Sequence, residues 1–158
     1  MIHTTLCYIE RDGAYLLLHR VKKKNDLNEG KWIGIGGKLE ARESVEECLL
    51  REVREETGLT LTEYRYVGKI LFESDTWPSE IMHLYHANGF VGEVTSDCNE
   101  GHLAWVDKER ATSLPMWEGD RIFLKKMEER GPFFHMILRY RGDHLAESIV
   151  GDANLALE

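Results

Sequence analysis

The stretch from Gly37 to Leu59, GKLEARESVEECLLREVREETGL, constrains the rest of the chain more than any other. Ser44 followed by Glu47 is a capping box, which starts a helix. Gly58 is its stop. At about 100° per residue, Val45, Cys48, Leu49 and Val53 share one side, and that side faces the core. Glu52, Glu55 and Glu56 fall on the same side, one or two turns further on. Three carboxylates therefore point inward where apolar residues are expected. Like charges at i, i+3 and i+4 repel by roughly 0.2–0.5 kcal/mol per pair. They also lie near the helix C-terminus, where the macrodipole disfavours negative charge. Such a face needs a cation, and oxygen-only ligands suit a hard ion such as Mg²⁺ or Mn²⁺. Arg51, four residues from both Glu47 and Glu55, is placed to orient carboxylates through forked hydrogen bonds.

An ordinary solvated helix is the plain alternative for a Glu-rich segment, but the spacing is more specific. Gly37, Glu43, Arg51, Glu52, Val53, Glu55, Glu56, Gly58 and Leu59 fill nine constrained positions: Gly, five residues, Glu, seven residues, Arg-Glu, an aliphatic, any, Glu-Glu, any, Gly, an aliphatic. This stretch resembles the Nudix box, and the chain is similar to Nudix hydrolases. The resemblance implies an α/β fold, an α/β/α sandwich with a mixed sheet between helices. It also implies metal-assisted hydrolysis of a nucleoside diphosphate linked to another group.

At 158 residues the chain is long enough for a real core and reads as one domain, 1–158. A net charge of −8 argues against a nucleic-acid polymer as partner. It does not exclude a nucleotide substrate whose charge is carried by metal. Cys7, Cys48 and Cys98 are odd in number and widely spaced, so no zinc or disulfide framework follows and a reducing compartment is expected. Cys48 reads as core. With no signal peptide and no long apolar run, the expectation is a soluble, cytoplasmic protein without a membrane partner, a monomer or homodimer.

Around the box, periodicity and turn residues divide the chain. Thr4–Glu10 and Ala14–Arg20 are β-rich, and Asp12-Gly13 between them reads as a hairpin. Lys22–Lys31 is a polar loop whose Lys22-Lys23-Lys24 is either solvated or set to screen a triphosphate entrance. Trp32–Gly36 is a short strand, and Gly36-Gly37 lets the backbone bend sharply and approach a ligand. Leu61–Ser74 reads as strand, with Gly68 as a bulge or bend. Ile81–Val91 and His102–Val106 are further strands, with a loop at Thr95–Gly101 between them. Asp107 is positioned to cap a one-turn helix at Lys108–Thr112, and a longer helix covers about Glu118–Glu129. Phe133–Tyr140 and Leu145–Val150 are the last strands. Strands and helices in this order suggest a mixed sheet between two helices.

The family resemblance assigns roles. Glu52 and Glu56 are implied metal ligands, Glu55 a further one, and the carbonyl just before the box, here Gly36, another; Mg²⁺ is the implied ion, with Mn²⁺ a substitute. Glu43 is implied to be structural. For the general base, Glu56, Glu52 and Glu100 all stay open. Glu100, a lone loop glutamate, resembles the glutamate that the family keeps outside the box. Trp32, Trp105 and Pro115-Met116-Trp117-Glu118-Gly119-Asp120 resemble the oxidised-purine nucleoside triphosphatase branch, the MutT-like sanitising enzymes. That resemblance implies stacking of a purine, such as that of 8-oxo-dGTP, on Trp117 and hydrogen bonding of its edge by Asp120. Trp117 as a packing residue is the alternative. The branch has Pro-Asp-Asp where this chain has Glu118-Gly119-Asp120, and asparagine where it has Ile33. Arg20 reads either as a phosphate contact or as a solvated hairpin end. His83 and His86 read as sheet residues without a role. Another nucleoside diphosphate derivative, such as an ADP-sugar or a dinucleoside polyphosphate, is the second enzymatic reading. A binding module without turnover is the third, and Glu52, Glu55 and Glu56, all present, argue against it.

Overall fold

Asp12 and Gly13 both take positive φ, 52° and 76°, the backbone of a tight hairpin turn whose twist suits its flanking strands. They join β1 (Ile2–Arg11) to β2 (Ala14–His19), as the Asp-Gly pair implies. The computed structural model describes residues 1–158 apart from Lys23, Ser96, Ala153 and Glu158. Of the three loop lysines, Lys23 therefore lies outside the described residues.

The other elements are β3 (Trp32–Ile33), α1 (Val45–Thr57), β4 (Thr60–Ser74), β5 (Glu80–Val91), β6 (Asp97–Cys98), β7 (Gly101–Asp107), α2 (Lys108–Ala111), α3 (Glu118–Glu128), β8 (Phe134–Arg141) and β9 (His144–Gly151). Their strands form one mixed sheet in the order β6-β7-β2-β1-β5-β4-β8-β9, with β3 pairing β2. The β1·β5 and β4·β8 pairs are parallel. In β4 the register shifts between Tyr66 and Gly68, so Gly68 marks an irregularity as its sequence suggests.

Both faces of the sheet are covered, which is why β2 reads Tyr-Leu-Leu-Leu without alternation. Leu16 and Leu18 point to one face with Cys7, Ile9 and Tyr85, where Leu49 and Val53 of α1 close the core. Tyr15 and Leu17 point to the other with Tyr8 and Leu84, where Phe123, Leu124 and Met127 of α3 pack. Leu157 and Leu155 cover Leu71, Ile81 and Ile137. The result is the α/β/α sandwich.

The start of α3 lies very close to β8. The Gly119 amide donates to the Tyr140 hydroxyl at 2.8 Å, and a Cβ on Gly119 would lie 2.5 Å from a Leu138 methyl. This close approach leaves no room for the second acid of a Pro-Asp-Asp segment.

Three details differ from the sequence reading. The strand at Trp32 ends at Ile33, because the glycines that follow turn toward β1. Within Thr95–Gly101, Asp97 and Cys98 pair with His102 and Gly101, so part of the expected loop is a hairpin. Asp107 precedes α2, but its side chain makes no capping hydrogen bond.

Phe123 is fully buried in the α3 face of the core. Truncation there removes burial and leaves a cavity, so Phe123→Ala should cost about 3–5 kcal/mol and lower the thermal midpoint by about 10 °C or more. Val91→Ala, at an exposed position, should change stability by less than about 0.5 kcal/mol. Equal midpoints for the two variants would contradict this account of the core.

Candidate active site

The site is built where residues 34–38 cross the free edge of β1. Below the hairpin, β2 leaves β1, and its place is taken by the Gly-rich segment. Cys7 and Ile35 exchange both backbone hydrogen bonds (2.6 and 2.9 Å), and the Thr5 amide donates to the Gly37 carbonyl at 2.9 Å. Only glycine fits here. A Cβ on Gly36 would lie 1.8 Å from the Thr5 carbonyl oxygen, and one on Gly37 would lie 2.5 Å from a Glu52 carboxylate oxygen.

α1 brings its carboxylates onto this bare backbone. Ser44 and Glu47 form the capping box, and Gly58 ends the helix in the left-handed region at φ 81°. Cys48, Leu49 and Val53 anchor the helix to the sheet, so Glu52 and Glu56 must face Gly36 and Gly37. The Gly36 amide donates to Glu56 Oε2 at 3.3 Å. Glu56 is only 7% exposed. Burial, then its hydrogen bond to Glu100, then the charge of Glu52 push its pKa up to about 9. Burial also raises the Glu52 carboxyl, opposed by Arg51. Glu55 corrects the sequence reading: its side chain is 59% exposed rather than inward, at the rim of the cluster.

Arg51 organises these acids. Its Nε and Nη2 fork onto Glu43 at 2.6 and 2.9 Å. Nη1 donates to Glu52 at 2.9 Å and Glu55 at 3.2 Å, and Nη2 to the Lys38 carbonyl at 3.1 Å. The fork holds the Glu43 carboxyl down at about 2. Glu43 thus fixes Arg51, and Arg51 fixes Glu52. Glu47 stays in the capping box and takes no part.

Glu100 enters from the β6–β7 hairpin. Arg20 Nη1 lies 3.2 Å from its Oε2, and Arg20 Nη2 lies 2.8 Å from Asp26. Arg20 is 8% exposed, so it is a buried bridge rather than a solvated hairpin end. Glu100 Oε2 and Asp26 Oδ2 are buried, and their contacts with Arg20 are ion pairs without hydrogen-bond alignment. Among the described residues, His, Cys, Asp and Glu side chains form no ready-made metal cluster of three or more. The reason is local: Arg51 draws Glu52 and Glu55 one way, and Arg20 draws Glu100 the other. The donor set still fits a hard divalent ion. It is all oxygen, and a cation there would offset the burial and the neighbouring acids that raise the Glu56 carboxyl.

From these acids a cleft of about 570 Å³ runs to Trp117 and Asp120. Trp117, 6% exposed, meets Phe72 and Tyr140 edge-on at centroid distances of 5.6 and 4.8 Å. Its Nε1 donates to Asn28 Oδ1 at 2.8 Å, and the Lys31 ammonium sits 4.3 Å above its ring. It both packs α3 and lines the cleft. Asp120 is 5% exposed, and burial raises its pKa to about 8 against the pull of Arg121 and Lys31. Trp32 lies apart: it stacks on His19 at 4.4 Å and is absent from the cleft wall, while its amide holds the Pro115 carbonyl at 2.8 Å. Trp105 is also remote, stacked on Phe90 beneath Arg11. His83 bonds His3 and Tyr66, and His86 bonds Glu10. Asp26, Asn28 and Glu80 join the cleft with no motif to announce them. Phe72 of β4 and Met82 of β5 also line it.

The NUDIX domain family matches residues 3–127. An uncharacterized Nudix hydrolase of Bacillus subtilis, YvcI, is 32% identical over 86% of this chain and 85% of that protein. The oxidized purine nucleoside triphosphate hydrolase of Danio rerio is 31% identical over 82% of this chain and 81% of its own. The crystal structure of a mutator MutT protein from Bacillus halodurans superposes with a TM-score of 0.85 at 26% identity, covering 95% of this chain and 97% of that one. The unbroken box, its helix laid against Gly36-Gly37 and these likenesses converge on one statement: the chain belongs to the NUDIX domain family and is a Nudix hydrolase.

Proposed function

We propose that residues 1–158 form one domain that acts as a Mg²⁺-dependent pyrophosphohydrolase. Its substrate is a nucleoside triphosphate with an oxidised purine, such as 8-oxo-dGTP, and one water is consumed to give the monophosphate and pyrophosphate. Nudix hydrolases generally use a divalent metal and act on nucleotides. The observation that carries the finer reading is the continuous cleft: carboxylates at one end, a tryptophan and a buried aspartic acid at the other.

Glu52, Glu55, Glu56 and the Gly36 carbonyl are the residues that would hold the ion. A divalent ion supplies neutralisation of phosphate oxygens and a more acidic bound water. The chain does the rest by positioning and electrostatics. Arg51 sets the rotamers of Glu52 and Glu55. Glu56, buried beside Glu100, has the raised carboxyl suited to hold or take a proton. Arg20 lines the cleft and offers its guanidinium to a phosphate. Trp117 and Asp120 receive the base; Trp32 acts only by holding the Pro115 segment. The relative from Danio rerio, named for oxidised purine nucleoside triphosphates, supports the same choice of substrate. Free thiols at Cys7, Cys48 and Cys98 suit a reducing, cytoplasmic setting. Among the described residues no helix is long and apolar enough to cross a membrane.

Pyrophosphate release from a panel of ordinary and oxidised triphosphates and an ADP-sugar, with and without EDTA, tests the reading. EDTA should abolish turnover, and Glu56→Gln should lower kcat by about 100-fold or more. Trp117→Ala should lose about 10- to 100-fold in kcat/KM, mostly through KM, because stacking is worth about 1–3 kcal/mol and the base keeps its charge during phosphate cleavage. An active Glu56→Gln enzyme would sink the chemistry. A uniform loss on every substrate in Trp117→Ala would sink the base assignment.

Asp120 gives a second, independent expectation. Folded, it holds its proton up to about pH 8, whereas its unpaired value is 3.8. Its ionisation therefore works against folding, and the stability tied to this proton is lost as pH rises through that window. Asp120→Asn removes the ionisation. The variant should match the wild type near pH 4 and gain on it up to about pH 8, by up to a few kcal/mol. Urea midpoints across this range measure it; a difference that does not grow with pH would contradict a buried, protonated Asp120.

A further inference from the structure

A second carboxyl shares the cleft with Asp120. Glu80 is the first residue of β5, flanked across the sheet by Ile2 of β1 and Phe72 of β4. It lines the cleft together with Met82, Phe72 and Trp117. Neither Glu80 nor Asp120 forms an ion pair among the described residues, and the Asp120 carboxyl has no hydrogen-bond partner there either. Burial raises the Glu80 carboxyl, against the Thr4 hydroxyl and the charge of Lys38, and its field reaches Asp120. Asp120 is buried and Glu80 half-buried among aromatic and aliphatic walls, where an acid is costly to leave without a close cation. Among the described residues neither has a cation within ion-pair distance, Lys38, Arg121 and Lys31 acting only at longer range, so both suit a ligand that presents N–H donors at two separate edges.

Resting on the triphosphate reading above, we propose that Glu80 is a specificity-determining residue that selects an oxidised purine by accepting its N7–H. Guanine presents a lone pair at N7, which an acceptor-only carboxylate repels. Oxidation at C8 turns N7 into a donor and leaves the N1–H and amino donors of the other edge unchanged. Asp120 on that other edge then serves ordinary and oxidised guanine alike, and Glu80 tells them apart. A purine without N7–H sets a lone pair against the Glu80 carboxylate, which is how a polar site rejects a near-isostere.

The test is kcat/KM for 8-oxo-dGTP and dGTP with Mg²⁺ in alkaline buffer, for wild type, Glu80→Gln and Glu80→Ala. Wild type should prefer 8-oxo-dGTP. Both variants should lose about tenfold or more on 8-oxo-dGTP, through KM, as expected for a hydrogen bond to a charged group. Activity on dGTP should rise in Glu80→Gln, whose amide can donate to N7; thermal midpoints report that each variant folds. An unchanged ratio of the two substrates in both variants overturns the role of Glu80 and leaves the proposed function standing. A wild type that turns over other nucleotides but shows no preference for 8-oxo-dGTP overturns the oxidised-purine reading, and the role of Glu80 with it.

Discussion

Two carboxylates pressed against a glycine backbone set the terms for the rest of this protein. Glu52 and Glu56 lie on Gly37 and Gly36, where any side chain would collide with them or with β1. Their repulsion is contained rather than removed: Arg51 takes part of the charge of Glu52, and burial beside Glu100 raises the Glu56 carboxyl toward its neutral form. A helix that ends in such a face is held by its other side, where Leu49 and Val53 bury against β1 and β2. The capping box and the left-handed Gly58 fix its length, so the acids stop at the cleft. Packing, capping and chemistry therefore meet within one helix.

The loop between β2 and β3 ties this end of the cleft to the other. Arg20 closes the neck of the loop, with its carbonyl accepting from Gly30 at 2.6 Å and its amide donating to Lys31 at 2.9 Å. Its guanidinium joins Asp26 inside the loop to Glu100 outside it. At the tip, Asn28 holds the indole N–H of Trp117. A polar chain thus runs from the acids of α1 to the wall of the base-side cleft. It explains why Arg20 is buried at the end of a hairpin, where sequence alone leaves a solvated end equally open.

Much of this was legible in the chain. Ser44, Glu47 and Gly58 state where α1 begins and ends, and Asp12-Gly13 states the first hairpin, because both signals are local. Glu55 was not legible. Counting about 100° per residue puts it beside Glu52 and Glu56, yet the sheet covers a narrower arc of the helix than the count assumes, and Glu55 falls at the rim. Trp32 and Trp117 both belong to the resemblance to the oxidised-purine branch. Strand pairing sends Trp32 onto His19 and the turn into α3 sends Trp117 into the cleft. Asp26, Asn28 and Glu80 carry no signal at all: the β2–β3 loop, held by Arg20 and Trp117, brings in the first two, and the sheet order brings in Glu80. The parallel pairing of β1 with β5, between strands far apart in sequence, places Glu80 beside Ile2.

The central claim is that the carboxylates of α1 are assembled for a cation, and thermal unfolding with added Mg²⁺ measures it directly. An ion at 100 times its dissociation constant adds about 2.7 kcal/mol to the folded state, which for a chain of this size raises the midpoint by roughly 5–10 °C. The expected result is such a rise in the wild type and a much smaller one in Glu56→Gln, with no response to a monovalent salt at equal ionic strength. A wild-type midpoint indifferent to Mg²⁺ and Mn²⁺, or an equal rise in Glu56→Gln, would contradict it.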